Sequence, residues 1–102
     1  MSCQEKKERF LEQYKRCLNS YGLNSDVKEL ERLYHDFMNN MCGNYQTNQA
    51  LINEIENLNH ITIPAQKTGR KEQAINQIME EVKYRIEKTL PEDFEKNSEE
   101  QV

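Results

Sequence analysis

The side chains of this chain that could bind a metal form a small pool of cysteines and histidines. The pool comprises Cys3, Cys17, Cys42, His35 and His60. Zinc sites usually take two ligands from one turn of the chain, because paired ligands at short spacing preorganise the site. His35 and Cys42 could share a helix face, but no pair in the pool has that short spacing. The sequence therefore predicts small buried cysteines, surface histidines, no metal and no other cofactor.

A second group that could do chemistry is the dipeptide His35-Asp36, which also occurs in metal-dependent phosphohydrolases. Those enzymes need further His and Asp ligands, and the only other histidine here is His60. Phosphotransfer bundles place Lys and Gly soon after the reactive histidine, whereas Asp36 and Phe37 follow it here. No Ser, Cys or Lys lies in a recognisable nucleophile motif. We therefore expect a protein without enzymatic activity.

Three cations, Lys67, Arg70 and Lys71, surround Gly69 just before the last predicted helix. A helix N-terminus attracts anions, so these cations are a possible anion contact. They define the alternative function, a small dimeric nucleic-acid-binding regulator. The charge balance disfavours it, because residues 1–90 carry thirteen Lys or Arg and thirteen Asp or Glu, and the net charge of -4 lies in the tail. A neutral body also disfavours an anionic membrane as a partner.

The elements that position these groups are helices, because apolar residues recur at alternating intervals of three and four. From residue 27 to residue 58 the repeat comprises Val27, Leu30, Tyr34, Phe37, Met41, Leu51, Ile55 and Leu58. This spacing is typical of a helix packed against another helix. The repeat would allow one continuous helix, with Asn44 and Asn48 at the two central seam positions. We favour a turn at residues 43–47, because Gly, Asn and Thr are poor helix formers.

Breakers and caps divide the chain into four helical segments, which are residues 4–21, residues from 24 or 25 to the central turn, residues 47–59 and residues 70–90. Gly22 ends the first segment, and Asn24 or Ser25 caps the second. Residues 61–64 are expected to be extended and residues 65–69 to form a loop.

These segments predict an all-α fold, a small antiparallel bundle of three or four helices. The bundle would occupy residues 1–90 as one domain, because Pro91 ends the last helix. Residues 91–102 carry five acidic residues and one lysine, and they are expected to form a disordered acidic tail, apart from Phe94.

Composition limits the class of protein and its location. The chain has 102 residues, of which 35% are hydrophobic and 31% charged, with a mean hydropathy of -1.05. No apolar run approaches the roughly 20 residues of a membrane-spanning helix, and the N-terminus does not resemble a secretory signal. Three widely spaced cysteines favour a reducing compartment. We therefore expect an intracellular location, in the cytoplasm or alternatively in the nucleus.

Residues 37–53 carry no formal charge, which is unusual in so charged a chain. The centres of protein interfaces are depleted of charge in this way and enriched in Met and Tyr, although a polar loop with no role would also lack charge. We hypothesise a non-enzymatic interaction module, an adaptor or complex subunit. It would bind a protein partner, a second copy of itself, or both through an apolar helical face. The candidate partner-binding residues are Tyr34, Phe37, Met38, Met41 and Tyr45.

Overall fold

A computed structural model describes residues 2–64, 69–92 and 94 of the chain. It contains the helices α1 (Cys3–Asn19), α2 (Asn24–Asn39), α3 (Tyr45–Asn57) and α4 (Gly69–Thr89), with a 3-10 turn (Leu58–His60) directly after α3. Every regular element in these residues is helical, so the predicted all-α fold is confirmed. The helix boundaries lie within two residues of the predicted ones, except that α2 ends three residues before the predicted turn.

Successive helices run in opposite directions. The start of α1 meets the end of α2 through a disulfide between Cys3 and Cys42. At the other end of the bundle, the Lys71 amine donates a hydrogen bond to the carbonyl of Asn19 at 3.1 Å. The result is an antiparallel four-helix bundle with extents of 44 × 23 × 23 Å. We call the end that holds the disulfide the tip.

The core runs along the bundle axis and takes residues from every helix. Its largest fully buried side chains include Phe10, Tyr14, Leu18, Leu30, Phe37, Leu51, Ile75, Val82 and Ile86. Each fully buried apolar side chain of this size contributes about 1.5–3 kcal/mol relative to an exposed one. The alternation of three and four residues predicted this face on α2 and α3.

A turn between the second and third helices is confirmed, but it lies at residues 40–44 and not at the predicted 43–47, because α2 ends at Asn39 and α3 begins at Tyr45. Asn44 caps α3, and its side-chain oxygen accepts a hydrogen bond from the Thr47 amide at 2.9 Å. Gly43 is required here, since a Cβ atom at this position would lie 2.8 Å from the Thr47 side chain. Asn44 therefore acts as a cap and does not occupy a helical seam.

Helices α1 and α2 end in the same hydrogen-bonded motif, with a non-glycine residue in the left-handed region. These residues are Tyr21 (φ 56) and Met41 (φ 58). Each donates its amide to the carbonyl three residues earlier, and the next amide bonds to the carbonyl five residues earlier. After α1 the chain passes through Gly22 (φ 76), which places Leu23 at the cap of α2. The expectation that the side chain of Asn24 or Ser25 caps α2 was therefore wrong.

The expectation that all three cysteines are unpaired was also wrong. Cys3 and Cys42 form a disulfide with a Cα–Cα distance of 5.4 Å, and Cys17 is a buried free thiol. The partners are 39 residues apart in sequence, and only the antiparallel packing of α1 and α2 brings them together. The argument from cysteines for a reducing compartment therefore loses its support.

The packed body extends beyond residue 90, because Phe94 is buried with its ring centroid 6.2 Å from that of Phe37. The rest of the expected disordered tail, residue 93 and residues 95–102, lies outside the described residues, as does the expected loop at residues 65–68. Residues 61–64 form no helix, as predicted. Within the described ranges, no helix is both long enough and apolar enough to cross a membrane.

Candidate functional site

Four of the five predicted partner-binding residues lie on the surface at or near the turn between α2 and α3. Met41 is 83% exposed and Tyr45 is 76% exposed, while Tyr34 and Met38 are partly buried against the core. We call these four residues the tip surface. The turn brings Met41 and Tyr45 to the same end of the bundle, as a connection between two antiparallel helices must.

The fifth predicted residue, Phe37, lies in the core and not on the tip surface. Its side chain is 1% exposed, and its ring approaches both Phe94 and the backbone of Gly43. Phe37 therefore supports the turn from beneath and cannot itself contact a partner without a rearrangement of the core.

Met41 holds an unfavourable backbone conformation. A non-glycine residue in the left-handed region costs roughly 1–2 kcal/mol, which a glycine at the same position would avoid. Tyr21 occupies the equivalent position after α1, but its side chain has an internal role, since its hydroxyl donates to the carbonyl of Pro64 at 3.2 Å. The Met41 side chain points into solvent. Strain kept at an exposed position is a reason to look for a function there.

Three fixed connections hold the turn that carries Met41 and Tyr45. Cys42, directly after Met41, is bonded to Cys3 in α1. The Thr47 hydroxyl donates to the carbonyl of Thr89 in α4 at 2.7 Å. A further hydrogen bond joins the Tyr34 hydroxyl in α2 to the side-chain oxygen of Asn48 in α3. The tip surface is therefore tied to all four helices.

Two ion pairs lie near the tip. The Lys7 amine lies 3.0 Å from a carboxylate oxygen of Glu87 and 5.9 Å from the ring centroid of Phe94. A longer ion pair of 3.9 Å joins Lys6 to Asp36. The uncharged tip surface thus lies beside groups whose charges are partly neutralised.

The predicted anion contact lies at the opposite end of the bundle. Lys67 is outside the described residues. Arg70 is exposed at the start of α4, but the Lys71 amine donates to the Asn19 carbonyl and lies 4.5 Å from the ring centroid of Tyr21. Lys71 therefore satisfies a carbonyl at the end of α1, where a cation also interacts favourably with the helix dipole.

Sequence reasoning missed a polar cluster in which the buried side chains of Tyr14 and Glu54 meet the half-exposed side chain of Arg85. Glu54 is 3% exposed, and its carboxylate accepts hydrogen bonds from Nε and Nη2 of Arg85 at 2.5 and 2.9 Å. The Tyr14 hydroxyl donates to the same carboxylate at 3.4 Å. Burial, and next the nearby Glu54 carboxylate, raise the pKa of Tyr14. Because Glu54 lies between Leu51 and Leu58 on the apolar face of α3, the repeat itself contained a signal for a buried acid.

This cluster joins α1, α3 and α4 and has the geometry of a structural ion pair. Both oxygens of Glu54 are held by Arg85, whose hydrogen bonds to the carboxylate raise its own pKa. The carboxylate is therefore already engaged and is poorly placed to act as a base. Among the described residues, no group of three or more His, Cys, Asp or Glu side chains could hold a metal ion.

Comparisons of the chain with protein-family models, with curated proteins and with solved structures find no match. The features of the molecule that bear on its function are therefore the tip surface and the disulfide and hydrogen bonds that hold it.

Proposed function

We propose that this protein is a non-enzymatic interaction module that forms a homodimer through its tip surface. The observation that carries the proposal is the exposure of Met41 and Tyr45, the two most exposed large apolar side chains among the described residues. Both stand on a turn that a disulfide and a buried hydrogen bond connect to neighbouring helices. A fixed turn loses little conformational entropy on binding, which favours association.

The energetics of the exposed side chains support docking at this position. Removing a Met or Tyr side chain from water contributes about 1.5–3 kcal/mol. Aromatic residues and Met are enriched at the centres of interfaces, and charged residues are depleted there. The tip surface has this composition, with two Tyr and two Met and no charged residue.

The charge distribution favours a second copy of this chain as the partner. A charged partner surface would lose hydration against the uncharged tip without gaining a countercharge. The whole chain carries a net charge of -4, so two copies repel each other, and residues 37–53 offer a region free of formal charge where they can meet. A twofold contact would place the same tip surface of each copy against the other.

The test is the mass of the chain in solution, measured by sedimentation equilibrium over a range of concentrations. We expect the wild-type chain to associate to twice its mass and the double variant Met41→Ser/Tyr45→Ser to remain a monomer. Tyr84→Ser is the matched control, since Tyr84 is 67% exposed on α4 and lies outside the tip surface. A monomeric wild-type chain, or a dimer that the double variant leaves intact, would overturn the proposal.

The alternative proposal is a dimeric nucleic-acid-binding regulator that uses the start of α4. Arg70 is exposed there, but Lys71 is engaged with Asn19 and Tyr21, which weakens the case. Titration of a DNA duplex at low salt with the wild-type chain and with Arg70→Ala/Lys71→Ala tests it. Equal affinities of the two proteins would reject this function.

The intracellular location stays a prediction. The argument from unpaired cysteines no longer supports it, because Cys3 and Cys42 form a disulfide.

A further inference from the structure

The Cys3–Cys42 disulfide joins the start of α1 to the turn that carries the tip surface. Cys3 is the first residue of α1, and Cys42 directly follows the strained Met41. The amide of Cys42 also makes the longer-range hydrogen bond that ends α2, to the carbonyl of Phe37 at 3.3 Å. The disulfide therefore fixes Cys42, and the hydrogen bond of the Cys42 amide helps to keep Met41 in its left-handed conformation.

We propose that this disulfide is a redox-dependent clamp on the tip surface. In the oxidised chain the clamp holds Met41 and Tyr45 in one arrangement, and in the reduced chain the turn between α2 and α3 samples others. The consequence for binding rests on the proposed function, because a preorganised surface binds more tightly than one that must be ordered on contact.

The end of α2 has an internal comparison in the end of α1. Both helices end with the same pair of hydrogen bonds and a left-handed non-glycine residue. After Tyr21 comes Gly22, which adopts a positive φ of 76 without strain. After Met41 comes Cys42, which is held by a covalent bond. The tyrosine is further held by Pro64 and Lys71, so at the tip the disulfide takes the place of those side-chain contacts.

The burial of both sulfurs determines how the clamp is released. Cys3 is 0% exposed and Cys42 is 2% exposed, so a reductant reaches the bond only after a local opening. The first turn of α1 is the place for such an opening, because the first amides of a helix lack helical partners. The Ser2 side chain caps this turn by accepting a hydrogen bond from the Glu5 amide at 3.3 Å. The redox state is therefore set slowly, mainly by the conditions under which the chain folds.

The chemical step is a thiol–disulfide exchange with a dithiol. The dithiol supplies two electrons and two protons, the Sγ–Sγ bond breaks, Cys3 and Cys42 become thiols, and the dithiol closes to its own disulfide. The free Cys17 does not compete, because fourteen residues of helix place it about 21 Å along α1 from Cys3. Reduction therefore yields one defined species.

Hydrogen–deuterium exchange of the full chain, with and without dithiothreitol, tests the clamp. We expect reduction to accelerate amide exchange in residues 38–47 by about tenfold or more. A tenfold change corresponds to about 1.4 kcal/mol, which is less than the stabilisation that a disulfide commonly contributes. Residues 75–86 of α4 serve as the internal reference and should accelerate much less. The variant Cys3→Ala/Cys42→Ala should exchange like the reduced chain and should not respond to dithiothreitol.

Equal exchange in residues 38–47 of the oxidised and reduced chains would overturn the clamp. The same acceleration in residues 75–86 would also overturn it, because the disulfide would then stabilise the whole bundle and not the tip. Sedimentation of the same samples separates this proposal from the proposed function. Selective acceleration at the tip in a chain that never dimerises would support the clamp and reject the homodimer. Unchanged exchange in a chain that dimerises in both redox states would reject the clamp and support the homodimer.

Discussion

The hydroxyl of Thr47, in the first turn of α3, donates a hydrogen bond to the carbonyl of Thr89, the last residue of α4, at 2.7 Å. The last carbonyls of a helix have no partner within the helix, so this bond satisfies a group that would otherwise be unpaired. Thr47 is fully buried, and its methyl group packs closely against Gly43. One side chain thus couples the end of α4 to the turn that carries the tip surface.

We expect Thr47→Val to lower the free energy of unfolding by about 1–3 kcal/mol, because it removes the hydroxyl that donates to the Thr89 carbonyl and also lies 3.1 Å from the Asn44 side-chain oxygen, while preserving the shape of the side chain. Urea denaturation measures the change. Thr89→Val is the matched control, since the Thr89 hydroxyl donates within its own helix, to the Ile86 carbonyl at 2.8 Å. Equal stabilities of Thr47→Val and the wild type would show that the interhelical bond is not formed.

Relief of the backbone strain at Met41 should stabilise the chain. Replacing a left-handed non-glycine residue by Gly removes roughly 1–2 kcal/mol of strain and costs about 0.5–1 kcal/mol in chain entropy. We therefore expect Met41→Gly, made in a Tyr45→Ser background to limit association, to raise the free energy of unfolding by about 0.5–1 kcal/mol. Asn40→Gly is the control, because Asn40 has an ordinary φ of -92. Thermal denaturation compares the variants, and a lower melting temperature for Met41→Gly would contradict the strain argument.

The part of the fold that the sequence predicted is the part determined by local periodicity and breakers. Leu30, Phe37 and Leu51 fall on one repeat, and all are buried; the turn follows from the poor helix formers between them. The pairing of Cys3 with Cys42 was not predictable in this way, because it depends on how α1 and α2 pack and not on any short spacing.

The candidate site was predicted in its location but not in its detail. Periodicity placed Phe37 and Met41 on one apolar face, and it cannot tell which of the two lies in the core and which is exposed. The chain has left the helix at Met41, which is in the left-handed conformation, and the side chain of Met41 is therefore exposed while that of Phe37 stays in the core. The buried acid at Glu54 was visible in the repeat, but its partner Arg85 is 31 residues away and is brought to it only by the packing of α4.

The ion pair of Glu54 with Arg85 should contribute to specificity more than to stability. Removing one partner leaves a buried carboxylate without a countercharge, so we expect Arg85→Met to lower the free energy of unfolding by about 1–3 kcal/mol, less than for a fully buried pair because Arg85 is half exposed. Replacing both, as in Glu54→Leu/Arg85→Met, should restore most of this loss.

A double-mutant cycle from urea denaturation, completed with Glu54→Leu, measures the coupling between the two side chains. Additive effects of the two single substitutions would mean that Glu54 and Arg85 do not interact in solution.

The buried thiol of Cys17 should make the fold sensitive to high pH. Burial, and next the carboxylate of Asp26, raise the pKa of Cys17 to about 11, whereas a thiol in an unfolded chain titrates near ~8.5. Above that lower value the unfolded chain loses its proton first, so the folded state is fully stabilised below about pH 8.5 and loses stability as the pH rises towards 11. At 1.36 kcal/mol per pKa unit, the loss from this group approaches about 3 kcal/mol.

The measurement is the free energy of unfolding of the wild type and of Cys17→Ala between pH 7 and pH 11. Ala does not titrate, so the variant, although less stable at pH 7 because of the smaller side chain, should lose less stability on going to pH 11. Tyr14 titrates in both proteins, and the main causes of its raised pKa, burial and the Glu54 carboxylate, are common to the two. A difference between the two proteins that stays constant across this range would mean that Cys17 has no raised pKa in the folded chain.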